Sequence, residues 1–240
     1  MEARQQKVGG FAALYLALAY VVTMPYFLIF VKYPSVTDPV EKVALLVRHH
    51  GSMRIMYLVT YVIFGVVLAM LAPALHARFK TGAPTLSRAA ATVGLIWAFV
   101  LVASGMVFNA GAAAVVGLHS TDQAQAVAVW QAIEPVAQGL GGSGGELLGG
   151  LWVLLVSATA LRTRRLPKVP GWLGLAIGAA GVLSVVPALK DFAYGFGMLQ
   201  IVWFVGLGIV MLRATGRRAA PALEGGAVGP GDNCLSSAAV

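Results

Sequence analysis

Charge is what this chain has least of. Only 11% of its 240 residues are Asp, Glu, Lys or Arg, where a soluble domain carries roughly 25%, so the surface cannot face water all round. Cysteine is nearly missing as well. The single one, Cys234, sits in a tail rich in Gly, Ala and Pro; one thiol makes neither an internal disulfide nor a thiolate metal cage, and redox compartment cannot be read from it. No nucleophile motif, phosphate-cradling loop, HExxH or CxxC pattern occurs, and no strand precedes the glycine-rich run that a dinucleotide fingerprint would need. No cofactor is indicated and no metal site is assigned.

What the chain has in abundance is apolar sequence: 59% hydrophobic residues and a mean hydropathy of +0.82. Runs of about 18 or more apolar residues recur, each long enough to cross a bilayer. The expected fold is all-α, a polytopic transmembrane helical bundle with six spans near 10–31, 53–75, 89–117, 144–162, 171–189 and 197–213. The basic start (Arg4, Lys7) precedes an apolar run longer than a signal peptide's, so the first run reads as a retained span. Residues 1–9 form a cytoplasmic N-terminus, 10–213 the membrane domain and 214–240 a disordered cytoplasmic tail with no apolar period.

The net charge of +8 does not mark a nucleic-acid partner, because the basic residues are scattered over short loops instead of gathered on one face. They report orientation instead. Of 17 Lys and Arg, only Lys32, Lys42, Arg48, Arg54 and Lys190 fall on one side. Cytoplasmic segments collect basic residues, which puts both termini in the cytoplasm and the protein in the cell (inner or plasma) membrane. Two connections on the outer side look helical and amphipathic. In "DPVEKVALLVRHHG", Asp38 caps, Pro39 takes the first helical position, Glu41 closes a capping box and Gly51 ends the helix. In "STDQAQAVAVWQAIEPVAQ" the stripe Ala126, Val129, Trp130 and Ile133 ends at Pro135. Both are expected to lie on the membrane or over the bundle as lids. From Asp122 to Arg162 a continuous helix would be roughly 61 Å long, so the chain is expected to bend at "GLGGSGG".

Glu146 is the main polar candidate. With Ser143 as helix cap, "SGGE" is a capping box that needs no function. On the other reading, Gly142, Ser143, Gly149 and Gly150 share its face, and Gly141, Gly145 and Gly149 form a small-xxx-small ladder that admits another helix. Glu146 then points into protein or a cavity, where ionisable residues serve as ligand contacts, proton carriers or general acids. Asn109 is a second polar group inside a span, either an interhelical hydrogen bond or a ligand contact. His49, His50 and Glu134 complete the candidates. The two histidines point different ways on a helix, so a metal site would need carboxylates brought to them. Trp172, Trp203, Tyr33 and Tyr194 read as interface anchors, and Trp97 and Trp152 as deeper packing. A weak echo between spans two–three and four–five fits either duplication or the positive-inside rule.

Two stretches together carry a family resemblance: "HHGSMRIMYLVTYVIFGVVLAML" and "LLGGLWVLLVSATALRTRRLPKVPGWLGLAIGAAGVLSV". They resemble the small bacterial polytopic membrane proteins grouped as a domain of unknown function, number four-three-eight-six. The resemblance implies a helical membrane bundle and no established activity, and it carries over no catalytic residue. The favoured expectation is a protein that binds or moves a small hydrophobic or amphipathic ligand in an outward-facing cavity near Glu146. Two alternatives stand beside it: a membrane-embedded enzyme on a lipid or isoprenoid, or a structural or accessory subunit. Partners are the bilayer, a hydrophobic small molecule, and a second copy or a partner subunit. Whether the chain is an enzyme stays open.

Overall fold

A computed structural model describes residues 2–141, 146–165 and 167–219, and among them there are only helices and connections. In chain order the α-helices are α1 (Glu2–Pro25), α2 (Pro39–Arg48), α3 (His50–Tyr57), α4 (Phe64–Phe79), α5 (Pro84–His119), α6 (Gln123–Gly141), α7 (Glu146–Thr163), α8 (Lys168–Leu183) and α9 (Phe192–Ala219). Short π-helical turns follow α1 (Tyr26–Phe30) and join α3 to α4 (Leu58–Ile63).

Among the described residues, five stretches are long and apolar enough to cross a membrane: Arg4–Phe30, His50–Phe79, Pro84–His119, Gln123–Thr163 and Phe192–Arg213. The remaining expected span is shorter than its sequence suggests. Helix α8 has 16 residues, roughly 24 Å, and stops at Leu183 before a 3-10 turn at Pro187–Leu189. Helix α9 runs on to Ala219, and the rest of the expected tail lies outside the described residues.

Neighbour packing closes a ring: α1 against α4, α4 against α5, α5 against α7, α7 against α8, α8 against α9, and α9 back against α1. Its centre is aromatic. Trp97, Trp152, Trp203, Phe64 and Phe204 make edge and tilted contacts there, geometries that ring quadrupoles favour. Trp203 is therefore core, not an interface anchor; it is 2% exposed and its indole donates to the Pro170 carbonyl at 3.1 Å. Trp172 and Tyr194 are exposed. At the basic end, Arg78 donates to Gln6 Oε1 (2.9 Å) and to the Arg165 carbonyl (3.0 Å), while Arg165 donates to the Arg78 carbonyl (2.9 Å). These bonds tie the first helix and two basic turns together.

A second core lies at the opposite, capped end. Tyr33, Val43, Leu46, Phe108, Val115 and Trp130 are all buried in it. Helix α2 forms as its sequence dictates: Asp38 accepts from the Glu41 backbone N–H at 2.8 Å and Pro39 starts the helix. It ends at Arg48 with His49 as C-cap, and Gly51 sits inside α3 instead of closing α2. Val43 and Leu46 face inward while Val40 stays exposed.

Helix α6 differs from the lid expected of it. Asp122 caps it through the Gln125 N–H at 2.8 Å, but Pro135 does not end it, and the helix continues to Gly141. It does not lie across the bundle either. Gly111 of α5 meets Ile133, and Ser104 meets Ala137 and Gly141. Further along α5, Trp97 meets Gly149 and Gly94 meets Trp152 of α7. Helices α6 and α7 thus follow one antiparallel track down α5. The bend expected at "GLGGSGG" falls on residues 142–145, outside the described residues; α5, with 36 residues and roughly 54 Å long, is long enough to give both helices a rail. The hinge glycines Gly142 and Gly145 and the cap Ser143 lie outside the described residues.

Glycines set the closest approach in the ring. A methyl group on Gly150 would sit 2.7 Å from the Val182 nitrogen and 2.8 Å from the Gly178 carbonyl oxygen, both backbone atoms that cannot step aside. Small residues at such crossings gain dispersion where lipid supplies no hydrophobic drive. Gly150→Ala is expected to lower unfolding stability in detergent by about 1–3 kcal/mol. Gly139→Ala, at an exposed helical glycine with nothing within 4 Å, is expected to be neutral or to raise it by about 0.5–1 kcal/mol. Equal losses at both positions would contradict the packing.

Candidate functional site

Between the two cores lies a cavity of about 580 Å³. Helix α5 supplies Trp97 and Leu101 from the ring core on one side of it and Ser104 at the turn toward the second core. Both π-helical turns border it, through Phe27 and Leu28 after α1 and through Thr60 and Tyr61 before α4. Pro25 has no N–H to give to the turn before it, which is a local reason for the helix to widen there. In the second turn the Tyr15 hydroxyl donates to the Val59 carbonyl at 3.2 Å, satisfying a group in the irregular stretch. Such insertions are frequent at functional sites.

Glu146, the first residue of α7, lines this cavity. Its Oε2 is buried and has no hydrogen-bond partner among the described residues, and the same holds for the hydroxyl of Thr60 on the facing wall. Tyr20 and Tyr61 line the same cavity. Gly141 also lines the cavity, held against Ser104, whose hydroxyl donates to the Ala137 carbonyl at 2.7 Å. Gly149 sits beneath Trp97 and Phe196; a side chain there would push on two of the cavity's rings.

Glu134 has a different fate. It is 9% exposed, and its Oε1 accepts from the Tyr33 hydroxyl (2.9 Å), the Lys42 ammonium (2.7 Å) and the Gln138 amide (3.1 Å). The Trp130 indole donates to the Tyr33 oxygen at 3.1 Å, and Lys42 lies 5.2 Å from the centre of the Tyr33 ring. Tyr33 is thus a buried linchpin and not an interface anchor. Burial first, and the adjacent carboxylate second, push its phenol well above the ordinary value, so it remains a neutral donor to Glu134. Glu134 itself does not line the cavity, but its partners Tyr33, Lys42 and Gln138 do. The network pins α2 and α6 together beside the cavity.

The other candidates are not brought to this place. Asn109 lies on α5 away from the cavity lining, with both amide atoms buried and unpartnered among the described residues. His49 packs its ring edge-on to Phe30 at 6.0 Å, and His50 has a buried Nε2 without a partner among the described residues; neither lines the cavity. No group of three His, Cys, Asp or Glu converges as a metal site among the described residues.

Tyr20, Thr23, Tyr57, Thr60 and Tyr61 were missed as site residues. A signal for them exists: "YVVT" at Tyr20–Thr23 and "YLVT" at Tyr57–Thr60 place the same polar pair inside two apolar spans, and polar groups at that depth need a reason.

A double-mutant cycle tests the latch. Lys42→Ala and Glu134→Ala are each expected to destabilise the protein, with a coupling of about 1–2 kcal/mol in detergent unfolding. Strict additivity would mean that the pair does not hold the cap.

A family model described as a domain of unknown function (DUF4386) matches residues 11–213, nearly the whole of the two stretches' surroundings and the family they resemble. None of the curated proteins and none of the solved structures matches the chain.

Proposed function

The chain belongs to the DUF4386 family as an integral membrane protein of unassigned role, and from that premise we propose that it binds or moves a small hydrophobic or amphipathic ligand in the cavity beside Glu146. One observation carries the reading: a cavity of about 580 Å³ is lined by Glu146, a carboxylate with a buried oxygen that has no partner among the described residues. Sites for small molecules are mostly apolar and hold a few convergent polar groups. A buried polar atom without a partner is costly unless something arrives to satisfy it. Glu146 Oε2 and Thr60 Oγ1 are two such atoms, and both residues line one largely aromatic chamber.

The test blocks the chamber without disturbing its walls. Gly197 lines the cavity, and a methyl group added there meets nothing nearer than Met24 Cε at 3.6 Å. Native mass spectrometry of protein extracted into nanodiscs is expected to show a small molecule carried by the natural chain. Gly197→Leu is expected to lose it while keeping the unfolding temperature. A ligand retained by the filled variant, or no ligand on either protein, would overturn the reading.

The capped end is read as facing out of the cytoplasm, because the opposite end carries the interlocked Arg78 and Arg165 turns and basic turns stay inside. In a Cys234→Ser background, a membrane-impermeant maleimide added to intact cells is expected to label Ser120→Cys and to leave Thr81→Cys unlabelled. The reverse pattern would invert the topology.

A further inference from the structure

We propose that the ligand of this cavity is an organic cation, an amine or quaternary ammonium group on an apolar body, held by Glu146 and a box of aromatic rings. This rests on the binding reading above and adds the chemical class. The charges around the chamber decide it. Lys42 is already neutralised by Glu134 at 2.7 Å. Lys190 and Asp191 are adjacent in the chain, of opposite sign, and both line the cavity. Glu146 lines the same cavity and forms no ion pair within 4 Å among the described residues.

The walls point the same way. Tyr20, Phe27, Tyr57, Tyr61, Phe64 and Trp97 all contribute to the lining. Aromatic rings present a negative face, and several together make the usual receptor for an ammonium group. Tyr57 and Tyr61 stack with their planes 11° apart, at 4.9 Å between centres, which leaves a flat aromatic wall. An anion would meet both the carboxylate and the ring faces, and is disfavoured by each. A neutral hydrocarbon would fill the space but leave Glu146 Oε2 unsatisfied. A cation answers the carboxylate and the rings at once, and Thr60 Oγ1 can accept from an N–H of a primary or secondary amine.

Three probes of similar shape and different charge separate these cases: benzyltrimethylammonium, its neutral carbon isostere neopentylbenzene, and benzenesulfonate. Binding is followed by tryptophan fluorescence of the full-length protein in zwitterionic nanodiscs, with empty nanodiscs subtracted. Trp97 in the cavity wall serves as reporter. The cation is expected to bind at least about tenfold tighter than the neutral isostere, with no saturable binding of the sulfonate. Glu146→Gln keeps the size of the side chain and is expected to weaken the cation by about tenfold or more while leaving the neutral probe unchanged. Tyr61→Leu, which removes one ring face, is expected to weaken the cation by a smaller factor.

Equal affinity for cation and neutral isostere, insensitive to Glu146→Gln, would overturn the cation assignment while the cavity remained a ligand site. So would preference for the sulfonate. If Glu146→Gln failed to fold, the natural chain's ranking of the three probes would still decide the matter. Absence of binding by all three, with a co-purifying molecule still displaced by Gly197→Leu, would likewise sink the ligand class and spare the binding function. Only loss of both would remove the site itself.

Discussion

Helix α5 is the constraint from which the rest follows. Its 36 residues make it roughly 54 Å long, in a membrane whose apolar layer is about 30 Å thick. One stretch packs inside the helical ring through Ala90, Trp97, Ala98 and Leu101; the next carries Phe108, Ala112 and Val115 into the second core. Apolar groups that project beyond the bilayer need a cover, because there the hydrophobic effect acts in full. Helix α6 supplies it along one side, with Ala126 and Trp130 buried, and α2 adds Val43 and Leu46. Within the ring that force is absent, since lipid chains are as apolar as leucine. Packing there depends on close approach, and the Gly150, Gly178 and Gly181 contacts of α7 with α8 provide it.

The cavity falls where these two regimes meet. Along α5 the neighbouring helix changes from α7 to α6 between Trp97 and Ser104. On the other wall, α1 and the α3–α4 connection loosen into π turns at about the same level, since both turns border the same chamber. Two well-packed cores of different partnership rarely share one lattice of side chains, because each interior is packed to near-crystalline density on its own terms. A void at the seam is the natural result. Tyr61 belongs to both, packed against each core from its position in the second π turn.

How much of this the sequence discloses depends on the range of the cause. The membrane class and the helical fold are written in composition and run length, which are properties of single segments. The Asp38 cap is legible for the same reason, because a cap is settled within four residues, and it accepts the backbone N–H three residues on; Asp122 caps α6 in the same way without having been expected to. The bend expected at the glycines rests on the length of one segment, and it falls on residues 142–145, outside the described residues. Pro135 was taken as a stop because an interior proline costs a hydrogen bond, yet packing on α5 through Trp130, Ile133 and Ala137 carries the helix past it. Tyr33 and Trp203 were assigned to the interface on residue type, while their burial depends on Glu134 and Pro170, 101 and 33 residues away. Glu146 is visible in the sequence as a polar group at the start of an apolar run, but Tyr20, Thr60 and Tyr61, which line the same cavity, come from spans far apart in the chain.

The two acids of the α6–α7 track show why burial alone does not identify a site. Glu134 is the more buried of the two by exposure, yet three donors converge on one of its oxygens, one of them an ammonium. Its desolvation is answered inside the protein, and the hydrogen bonds close a structural account that joins the Tyr33 turn, α2 and α6. Glu146 sits 12 residues further on, in the same antiparallel path, and its Oε2 has no such answer among the described residues. Removing a carboxylate from water costs several kcal/mol unless a counter-charge or donors replace the lost hydration. A fold that supplies three donors to one acid and none to an oxygen of the next, a residue lining the cavity, has not run short of donors. The unmet demand lies beside empty space, and it is that pairing, rather than depth or residue type, that separates an acid holding the structure together from one that waits for a ligand.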